Sequence, residues 1–532
     1  MRTMSSDLFS PQMPPQTMMS LLGDVVSARI SGDRATLIQA IAYDSREVIP
    51  GGLFVALRGG YVDGRQFLQS ALQRGAAGAL VAADTDDDAV AGYRVVARVP
   101  DPRATLAQVA ARFYAFPSQA VQVVGVTGTD GKTTTSHMIE AVLRANGWST
   151  GMVGTVAVRI GEHVDLHETR QTTPESLHVQ RYLAAMRAAG VGVAVVEATS
   201  HGLALHRVDC CEFDVGVITN ITHEHLDFHG SLENYRLAKA NLLERVADSA
   251  TRGRLGVAVL NADDAGTAAV RLKAEGCRVV NFSLEGTPGA EISARDVVPT
   301  SGGSTFRLFL GGDVATVRLP LPGRYNVANA LAAAGACRAL GLGVDEIANG
   351  LATLPPVPGR MEVIDLGQPF TVVVDYAHTP EALTTLFQEL RPATQGKLLA
   401  LFGSAGERDI AKRAAQGRIG MELTDYLIIT SEDPRFEDPD AILAQIAEGA
   451  VLSGGIRGVH FECIEDRAAA ILALMQRARP GDTVVLAGKG HEHSMIYGAE
   501  MRPWDEAEQA RFALRQLGYA GASQAAQPKD RV

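Results

Sequence analysis

The feature that most constrains this chain is a hydrophobic strand pattern running directly into a glycine-rich turn and then a helix. The segment reads Val124-Gly-Val-Thr-Gly128-Thr-Asp-Gly131-Lys132-Thr133-Thr134-Thr135. Backbone N–H groups of such a turn point inward and the helix N-terminus adds positive potential. Lys132 adds a full charge, and Thr133 adds a hydroxyl suited to Mg²⁺. The segment therefore predicts a phosphate-binding loop on a strand–turn–helix unit.

The loop is tighter than the common one. The usual pattern places its first glycine five residues before the glycine of Gly-Lys, and that position here is Val126. The residues expected to hold phosphate are therefore those of the short loop, which are Gly128, Thr129, Asp130, Gly131, Lys132, Thr133 and Thr134. ATP is the expected ligand, but the loop alone does not say what reaction ATP drives.

Bulk composition excludes several classes of protein. The chain has 532 residues, 46% of them hydrophobic, and a net charge of −11, which argues against a general binder of nucleic acids or anionic membranes. Its five cysteines form no C-x-x-C pair, so neither a zinc cage nor a disulfide framework is indicated. The sequence shows no signal-peptide or membrane-span pattern, so we expect a cytoplasmic protein. We also expect a monomer.

Short Val/Ile/Leu-rich runs alternate with helical patterns along the chain, which predicts parallel sheets covered by helices. Breaks near Pro117-Ser118 and in the proline cluster at residues 355–358 divide the chain into three expected α/β domains. These are residues 1–118, a central domain of the P-loop type at 119–355, and a Rossmann-like domain at 356–532. A polar tail, 520–532, is expected to be disordered.

Polar residues follow several predicted strands, and ligands of open α/β sheets bind at the carboxyl ends of strands. Glu197 ends one strand and supplies an oxygen ligand suited to Mg²⁺, although it could also merely cap a loop. The stretch from His223 to His229 holds three histidines and two carboxylates. Because no cysteine joins it and the spacing is not H-E-x-x-H, a hard-cation site near phosphate is favoured over zinc.

Lys239 falls on the apolar stripe of the next predicted helix, with Tyr235 and Leu242 on the same face. A bare ammonium there is costly unless it is paired or modified, and periodicity alone does not distinguish those states from a side chain that reaches solvent. Farther along, the segment from Gly323 to Asn329 opens an alanine-rich helix. Its amides could bond a base edge, although helix capping by Asn326 is an equally good explanation. Arg360 lies just past the second boundary and could reach back to phosphate.

Taken together, these segments resemble the Mur ligase family, in the right order from about Ala42 to Trp504. The resemblance is carried by the 128–134 loop, Glu197–Leu203, the spacing from His225 to Lys239, and Gly488-Lys-Gly-His-Glu492. It implies ATP-driven amide formation through an acyl phosphate. The implied reaction adds a diamino acid to UDP-N-acetylmuramoyl-L-alanyl-D-glutamate during peptidoglycan precursor synthesis, with ATP and Mg²⁺ as cofactors.

The resemblance also implies roles residue by residue. Lys132, His225 and Lys239 are the expected catalytic residues, and Thr133, Glu197, His225 and Lys239 as a carbamate are the expected metal ligands. Asn329, Arg360 and Asp375 complete the ATP site. The nucleotide-dipeptide is assigned to Ser45, Thr172, Thr173, Thr199 and Arg207. The amino acid is assigned to Arg408, Glu432, Asp433, Pro434, Arg435, Gly488 and Glu492.

The tetrad Glu432-Asp433-Pro434-Arg435 departs from the family pattern at the amino-acid pocket. Members that add meso-diaminopimelate usually carry Asp-Asn-Pro-Arg, whose arginine binds the distal carboxylate. Arg435 favours a substrate with two carboxylates, because a bidentate pair there is strong and specific. The extra negative charge of Asp433 equally suits lysine or ornithine, so the diamino acid is left open.

Two other functions remain as alternatives. One is a different amide ligase of the same superfamily, against which the Asp44-Ser45-Arg46 region and Thr172-Thr173-Pro174 argue. The other is a catalytically silent nucleotide-binding partner, which the presence of Lys132, Glu197 and Lys239 disfavours.

Overall fold

A computed structural model describes residues 8–520, apart from residues 24, 26, 60, 61, 166–170, 223 and 301. Within this part the chain forms two compact units. The first runs to Arg295 and includes Leu308–Ala315 and Ala328–Thr353, and the second comprises Asp296–Arg307, Thr316–Val327 and the chain from Leu354 onward. The predicted polar tail lies outside the described residues except for Ala520. The predicted boundaries near 118 and 355 remain predictions.

The first part of unit one is a five-stranded sheet in the order β2-β7-β6-β5-β4, parallel except that β2 runs antiparallel to β7. β5 and β6 are buried along their whole length, so they read as continuous apolar runs. The elements are β1 (Gln16–Thr17), α1 (Met18–Leu22), β2 (Arg29–Gly32), β3 (Leu37–Ile38), β4 (Ile41–Ala42), β5 (Leu53–Val55), α2 (Leu68–Gln73), β6 (Gly78–Ala82), β7 (Val95–Val99) and α3 (Pro102–Phe113).

The phosphate-loop strand lies inside the second sheet of this unit, whose strand order begins β11-β10-β9-β12-β8-β13-β14-β15. Neighbours from β9 to β15 are parallel, so their carboxyl ends meet at one edge. The elements are β8 (Gln122–Thr127), α4 (Lys132–Ala145), β9 (Thr150–Val153), β10 (Val158–Ile160), β11 (His163–Asp165), α5 (Ser176–Ala188), β12 (Val193–Glu197), α6 (Ser200–Ala204), β13 (Val215–Ile218), α7 (Leu226–His229), α8 (Leu232–Ala250), β14 (Val257–Asn261), α9 (Ala265–Val270) and β15 (Arg278–Ser283).

Valine supplies much of β8, β12 and β13, and these strands are almost entirely buried because helices cover both faces of a parallel sheet. The chain continues through β16 (Ile292–Thr300), β17 (Gly303–Leu310), β18 (Asp313–Leu319), α10 (Arg324–Ala339) and α11 (Val344–Ala352).

Unit two contains a six-stranded sheet in the order β19-β20-β24-β21-β22-β23, parallel except for β19. Its interior strands are fully buried. The elements are β19 (Glu362–Ile364), β20 (Thr371–Asp375), α12 (Pro380–Leu390), β21 (Leu398–Phe402), α13 (Ala411–Leu423), β22 (Tyr426–Ile429), α14 (Pro439–Leu452), β23 (Phe461–Cys463), α15 (Arg467–Arg477), β24 (Thr483–Ala487), β25 (Ser494–Tyr497), β26 (Glu500–Pro503) and α16 (Glu506–Gln516). The predicted α/β class with parallel sheets is confirmed.

Candidate active site

The glycine-rich loop joins β8 to α4, as the sequence predicts. Gly131 has a φ of +82°, which glycine adopts without the steric cost that other residues incur. A Cβ at Gly131 would lie 2.2 Å from Asn329 Oδ1, so the predicted Asn329 packs directly against the loop. The Lys132 ammonium donates to the carbonyl oxygens of Gly128 at 2.9 Å and Thr129 at 2.8 Å, so it lies over the turn.

The segment after β13 braces this loop, a role that the sequence did not reveal. Thr129 N donates to Asn220 O at 2.9 Å, and Asp130 N donates to Asn220 Oδ1 at 3.0 Å. Thr219 Oγ1 donates to Asp130 O at 2.5 Å. Because β8 and β13 are parallel neighbours, their ends lie side by side and the two loops share hydrogen bonds. No motif marks Thr219 or Asn220, because the contact depends on which strands become neighbours.

Lys239 lies on α8 and is 1% exposed, so of the alternatives that its periodicity left open, the side chain that reaches solvent is excluded. Its Nζ donates to Gly128 O at 2.6 Å and lies 4.6 Å from the centre of the Tyr235 ring. Burial is the main reason that the pKa of Lys239 lies well below its usual value, and the nearby Lys132 charge lowers this pKa further. Burial therefore favours the unprotonated amine, which is the form that can be modified.

The Thr133 hydroxyl and the Glu197 carboxylate meet beside the loop. Thr133 Oγ1 donates to Glu197 Oε2 at 2.8 Å, and Glu197 is fully buried at the end of β12. Thr155 donates to the same carboxylate through its hydroxyl at 2.8 Å and through its backbone N–H at 3.0 Å. The Thr155 hydroxyl lies 3.1 Å from Thr172 Oγ1, to which it donates in an alternative hydrogen bond. Hydroxyl and carboxylate oxygens are ligands that Mg²⁺ prefers, so Thr133 and Glu197 fit the predicted metal.

Thr155 was missed by the sequence analysis. It belongs to no recognised motif, and it reaches Glu197 only because β9 lies beside β12 in the sheet. Its contacts link Thr133 of the phosphate loop to Thr172, which is one of the residues predicted to bind the nucleotide-dipeptide.

His225 lies in a separate cluster of rings. Its ring centre is 4.8 Å from that of His201, and the His201 and His229 rings are 5.6 Å apart. Burial lowers the pKa of His201 to about 4, and the pKa of His225 is also lowered, chiefly by burial. Both histidines are therefore neutral at pH 7, the form that can ligate a metal. The predicted His223 lies outside the described residues.

Among the contacts of the described chain, none joins His225 to Glu197. Nor does any group of three or more His, Cys, Asp or Glu side chains in this part of the protein have the arrangement of a metal centre. The predicted metal ligands include only His225 and Glu197 from these residue types. They therefore would not form a group of three such side chains.

Three of the residues predicted to bind the nucleotide-dipeptide form a cluster at the start of α6. Thr173 Oγ1 donates to Glu197 O at 2.8 Å, and Thr199 N donates to Thr173 Oγ1 at 2.9 Å. Arg207 donates to Thr173 O at 3.0 Å and lies 3.2 Å from Glu175 Oε1. Ser45, in contrast, is a buried residue of the N-terminal part that follows β4. In the described part of the chain, no side-chain hydrogen bond or ion pair joins Ser45 to the other three.

Two of the predicted ATP residues belong to unit two. Arg360 lies just before β19, and Asp375 is the last residue of β20. Asp375 accepts hydrogen bonds from Met361 N and Ala377 N, both at 2.8 Å, and burial raises the pKa of its carboxyl group. Arg360 lies 4.7 Å from the centre of the Tyr376 ring in a cation–π contact.

The predicted amino-acid residues meet at the ends of β22 and β24. Lys489, which is fully buried, donates to Asp433 Oδ1 at 3.0 Å, to Glu492 Oε2 at 2.5 Å and to Ser494 O at 2.7 Å. Asp433 Oδ1 also accepts from Ile496 N at 3.0 Å. Asp433 is therefore paired inside the protein with Lys489, which it shares with Glu492, and Asp433 is only 3% exposed.

The remaining predicted pocket residues differ in exposure. A Cβ at Gly488 would lie 3.1 Å from Glu432 Oε2, a buried oxygen without a hydrogen-bond partner. Arg435 has a φ of +54°, and its backbone N–H donates to Ile496 O at 3.0 Å. Its Nε is buried and likewise lacks a partner. Pro434 is buried, whereas Arg408 is exposed on the loop that follows β21.

Comparison with known proteins identifies the family of the chain. The descriptions "Mur ligase family, catalytic domain", "Mur ligase middle domain" and "Mur ligase, glutamate ligase domain" match residues 37–114, 126–337 and 359–490. A UDP-N-acetylmuramyl-tripeptide synthetase from Roseiflexus sp. is 47% identical over 490 residues, covering 91% of this chain and 96% of that protein. The chain belongs to the Mur ligase family. The predicted membership is confirmed, and so is the predicted class of enzyme, a ligase.

Other Mur ligases extend the comparison. A UDP-N-acetylmuramoyl-L-alanyl-D-glutamate–2,6-diaminopimelate ligase from Streptomyces avermitilis is 41% identical, covering 91% of this chain and 94% of its own. A solved structure with the same ligase name superposes with a TM-score of 0.65 at 28% identity, covering 95% of this chain and all of that one. The three-domain α/β fold of the Mur ligases is thus the fold of this chain. Where the structure describes the chain, none of its helices has the length and apolar character needed to cross a membrane.

Proposed function

We propose that this Mur ligase uses ATP to add a diamino acid to UDP-N-acetylmuramoyl-L-alanyl-D-glutamate in peptidoglycan precursor synthesis. One geometric observation supports the proposal most: the hydroxyl and carboxylate contacts from Thr133 through Glu197 and Thr155 to Thr172. They connect the loop that would hold the ATP phosphates to a threonine assigned to the acceptor substrate. Phosphoryl transfer needs those two substrates side by side.

In the proposed reaction, the γ-carboxylate of the D-glutamyl residue attacks the γ-phosphate of ATP, which releases ADP and forms an acyl phosphate. The amine of the diamino acid then attacks the acyl carbon, forms the amide bond and releases phosphate and a proton. Lys132 and the loop amides would neutralise the transferred phosphoryl group. Mg²⁺, held by Thr133 and Glu197 with His225, would supply further positive charge at the phosphate oxygens.

Lys239 is proposed to react with CO₂ through its neutral amine, which gives a carbamate anion and releases a proton. The depressed pKa of Lys239 favours this step because only the unprotonated amine is nucleophilic. The carbamate would place a negative charge beside Lys132, where a lysine cation is disfavoured, and it would add oxygen ligands for the metal.

For the amino acid, we propose a substrate with a second carboxylate, meso-diaminopimelate. The altered residue, Asp433, is almost fully buried, and its Oδ1 is held by Lys489 and Ile496 N, which supports a structural role for its charge. Arg435 is the cationic residue of the tetrad, and its fork geometry suits a second carboxylate. We further expect a monomeric cytoplasmic enzyme without nucleic-acid or membrane partners.

The test is release of ADP and phosphate by the purified protein with ATP, Mg²⁺, UDP-N-acetylmuramoyl-L-alanyl-D-glutamate and one diamino acid at a time. Turnover should require both the nucleotide-dipeptide and the diamino acid, and meso-diaminopimelate should give a higher kcat/KM than lysine or ornithine. Strict dependence on another acceptor would identify a different amide ligase. Nucleotide binding without turnover under all of these conditions would indicate a silent partner.

A further inference from the structure

Two turns of unit two carry the proposed amino-acid pocket, yet they do not lie on neighbouring strands. Residues 431–435 follow β22 and residues 488–492 follow β24, and β21 lies between these strands in the sheet. Strands are spaced about 4.8 Å apart, so the two strand ends are separated by about 10 Å. No ladder joins β22 directly to β24, although Arg435 makes backbone bonds to Ile496 and Gly498, beyond the second turn.

The Arg467 side chain bridges the gap between the two strand ends. It starts at the first residue of α15, and it is 1% exposed. Its Nη1 donates to Ser431 O at 3.2 Å, and its Nη2 donates to Ala487 O at 2.7 Å. These carbonyl groups immediately precede Glu432 and Gly488, so one guanidinium group binds the base of both turns.

Glu506 fixes the orientation of this guanidinium group. Arg467 Nε donates to its two oxygens at 3.1 and 2.9 Å, and Nη2 donates to Oε1 at 2.6 Å. Trp504 Nε1 donates to the same carboxylate at 2.7 Å. The planar fork of arginine can make all of these bonds at once, whereas a lysine ammonium cannot.

A stability role alone does not account for this pair. Burying both charges carries a desolvation cost, and apolar replacements of such pairs are often neutral or stabilising. What the pair supplies that apolar side chains cannot is a directional bond to each of two separate strand ends. The Lys489–Asp433 contact also joins the same two turns, so Arg467 acts together with a second charged link.

We propose that Arg467, oriented by Glu506, is a positioning residue for the amino-acid site and sets the distance between the 431–435 and 488–492 turns. This inference rests on the proposed function, in which those turns bind the diamino acid. Because a misplacement of about 1 Å can cost on the order of 100-fold in rate, losing the fork should weaken use of the amino acid specifically.

Two variants test the proposal. Arg467→Lys keeps the charge and removes the fork. The double variant Arg467→Met, Glu506→Leu replaces the pair with apolar side chains, and it decides the question if Arg467→Lys does not fold. Leu474→Ala is the matched control, because Leu474 lies on the same helix, is fully buried in the apolar core and makes a cavity when truncated.

The first measurement is steady-state kinetics with the preferred diamino acid. In the folded variants, KM for the diamino acid should rise about 10-fold or more, while KM for ATP should stay within about 3-fold. Leu474→Ala should lower the unfolding temperature but leave both KM values unchanged. An unchanged KM for the diamino acid, or an equal rise of KM in Leu474→Ala, would overturn the proposal.

The second measurement is backbone hydrogen exchange without substrates, which does not depend on catalysis. Amides of residues 431–437 and 488–498 should exchange faster in the Arg467 variants than in wild type or in Leu474→Ala. Unchanged exchange in both segments would overturn the proposal. If wild-type protein turned over no diamino acid, the proposed function would fail, and the exchange result alone would then support or overturn the positioning role of Arg467.

Discussion

Replacing Asp433 with asparagine separates the two interpretations of the altered tetrad. Asp433 Oδ1 accepts from Lys489 Nζ and Ile496 N, each at 3.0 Å, and an amide oxygen can still accept both bonds. Bonds to a charged group contribute about 1.5–3 kcal/mol and neutral ones about 1 kcal/mol. In the variant the Ile496 bond becomes neutral and the Lys489 bond loses its ion-pair character, so the change should cost about 2 kcal/mol. Lys489 keeps Glu492 and Ser494 O as partners, which limits the loss.

This cost should lower the unfolding temperature of the C-terminal domain by about 4–8 °C, measured by calorimetry. Relative kcat/KM for meso-diaminopimelate, lysine and ornithine should stay within about 3-fold of wild type, because the carboxylate is buried and matched by Lys489. Asp438→Asn is the control, since Asp438 is an exposed cap of α14 and asparagine caps equally well. A change of more than 10-fold in amino-acid preference in Asp433→Asn would refute the reasoning.

Three further predictions follow from the site. Arg435→Lys should lower kcat/KM for meso-diaminopimelate relative to lysine by about 10- to 100-fold, because a bidentate contact with a carboxylate is lost. Steady-state kinetics with each of the two amino acids measure this ratio. Gly131→Ala should raise KM for ATP at least 10-fold. The added Cβ would clash with Asn329 Oδ1, and the positive φ of this residue costs alanine about 1–2 kcal/mol. Titration with nucleotide measures the change in affinity. Lys239 has a lowered pKa when folded, so unfolding takes up a proton, and its contribution to stability rises with pH until the pH reaches the ordinary lysine pKa. In CO₂-free buffer, urea unfolding of Lys239→Met should therefore show a smaller rise of stability between pH 6.5 and 9 than wild type, and an identical slope would contradict the assignment.

The parallel sheets and the phosphate loop could be predicted because their signals are local. Val121–Val126 reads as a buried strand, and Gly128 and Gly131 mark the turn that follows it. The position of Lys239 on the apolar face of its helix, with Tyr235 and Leu242, could also be predicted, whereas its full burial could not. These inferences need only neighbours in sequence.

The partners of these residues could not be predicted, because they depend on which strands become neighbours. Thr155 reaches Glu197 from β9, and Asn220 braces the loop from the end of β13. The match between Asp433 and Lys489 spans 56 positions in the chain, although both residues lie in motifs that the sequence made visible. A motif supplies the residue types, whereas charge pairing between two motifs needs the fold.

The carbonyl oxygen of Gly128 accepts from two lysines, Lys132 at 2.9 Å and Lys239 at 2.6 Å. The Lys132 charge makes protonation of Lys239 less favourable. By thermodynamic reciprocity, an anion that draws Lys132 away from this carbonyl alters the proton affinity of Lys239, and a modification that removes the Lys239 cation alters anion affinity equally. Occupancy of the loop and the chemical state of Lys239 are thus one linked equilibrium.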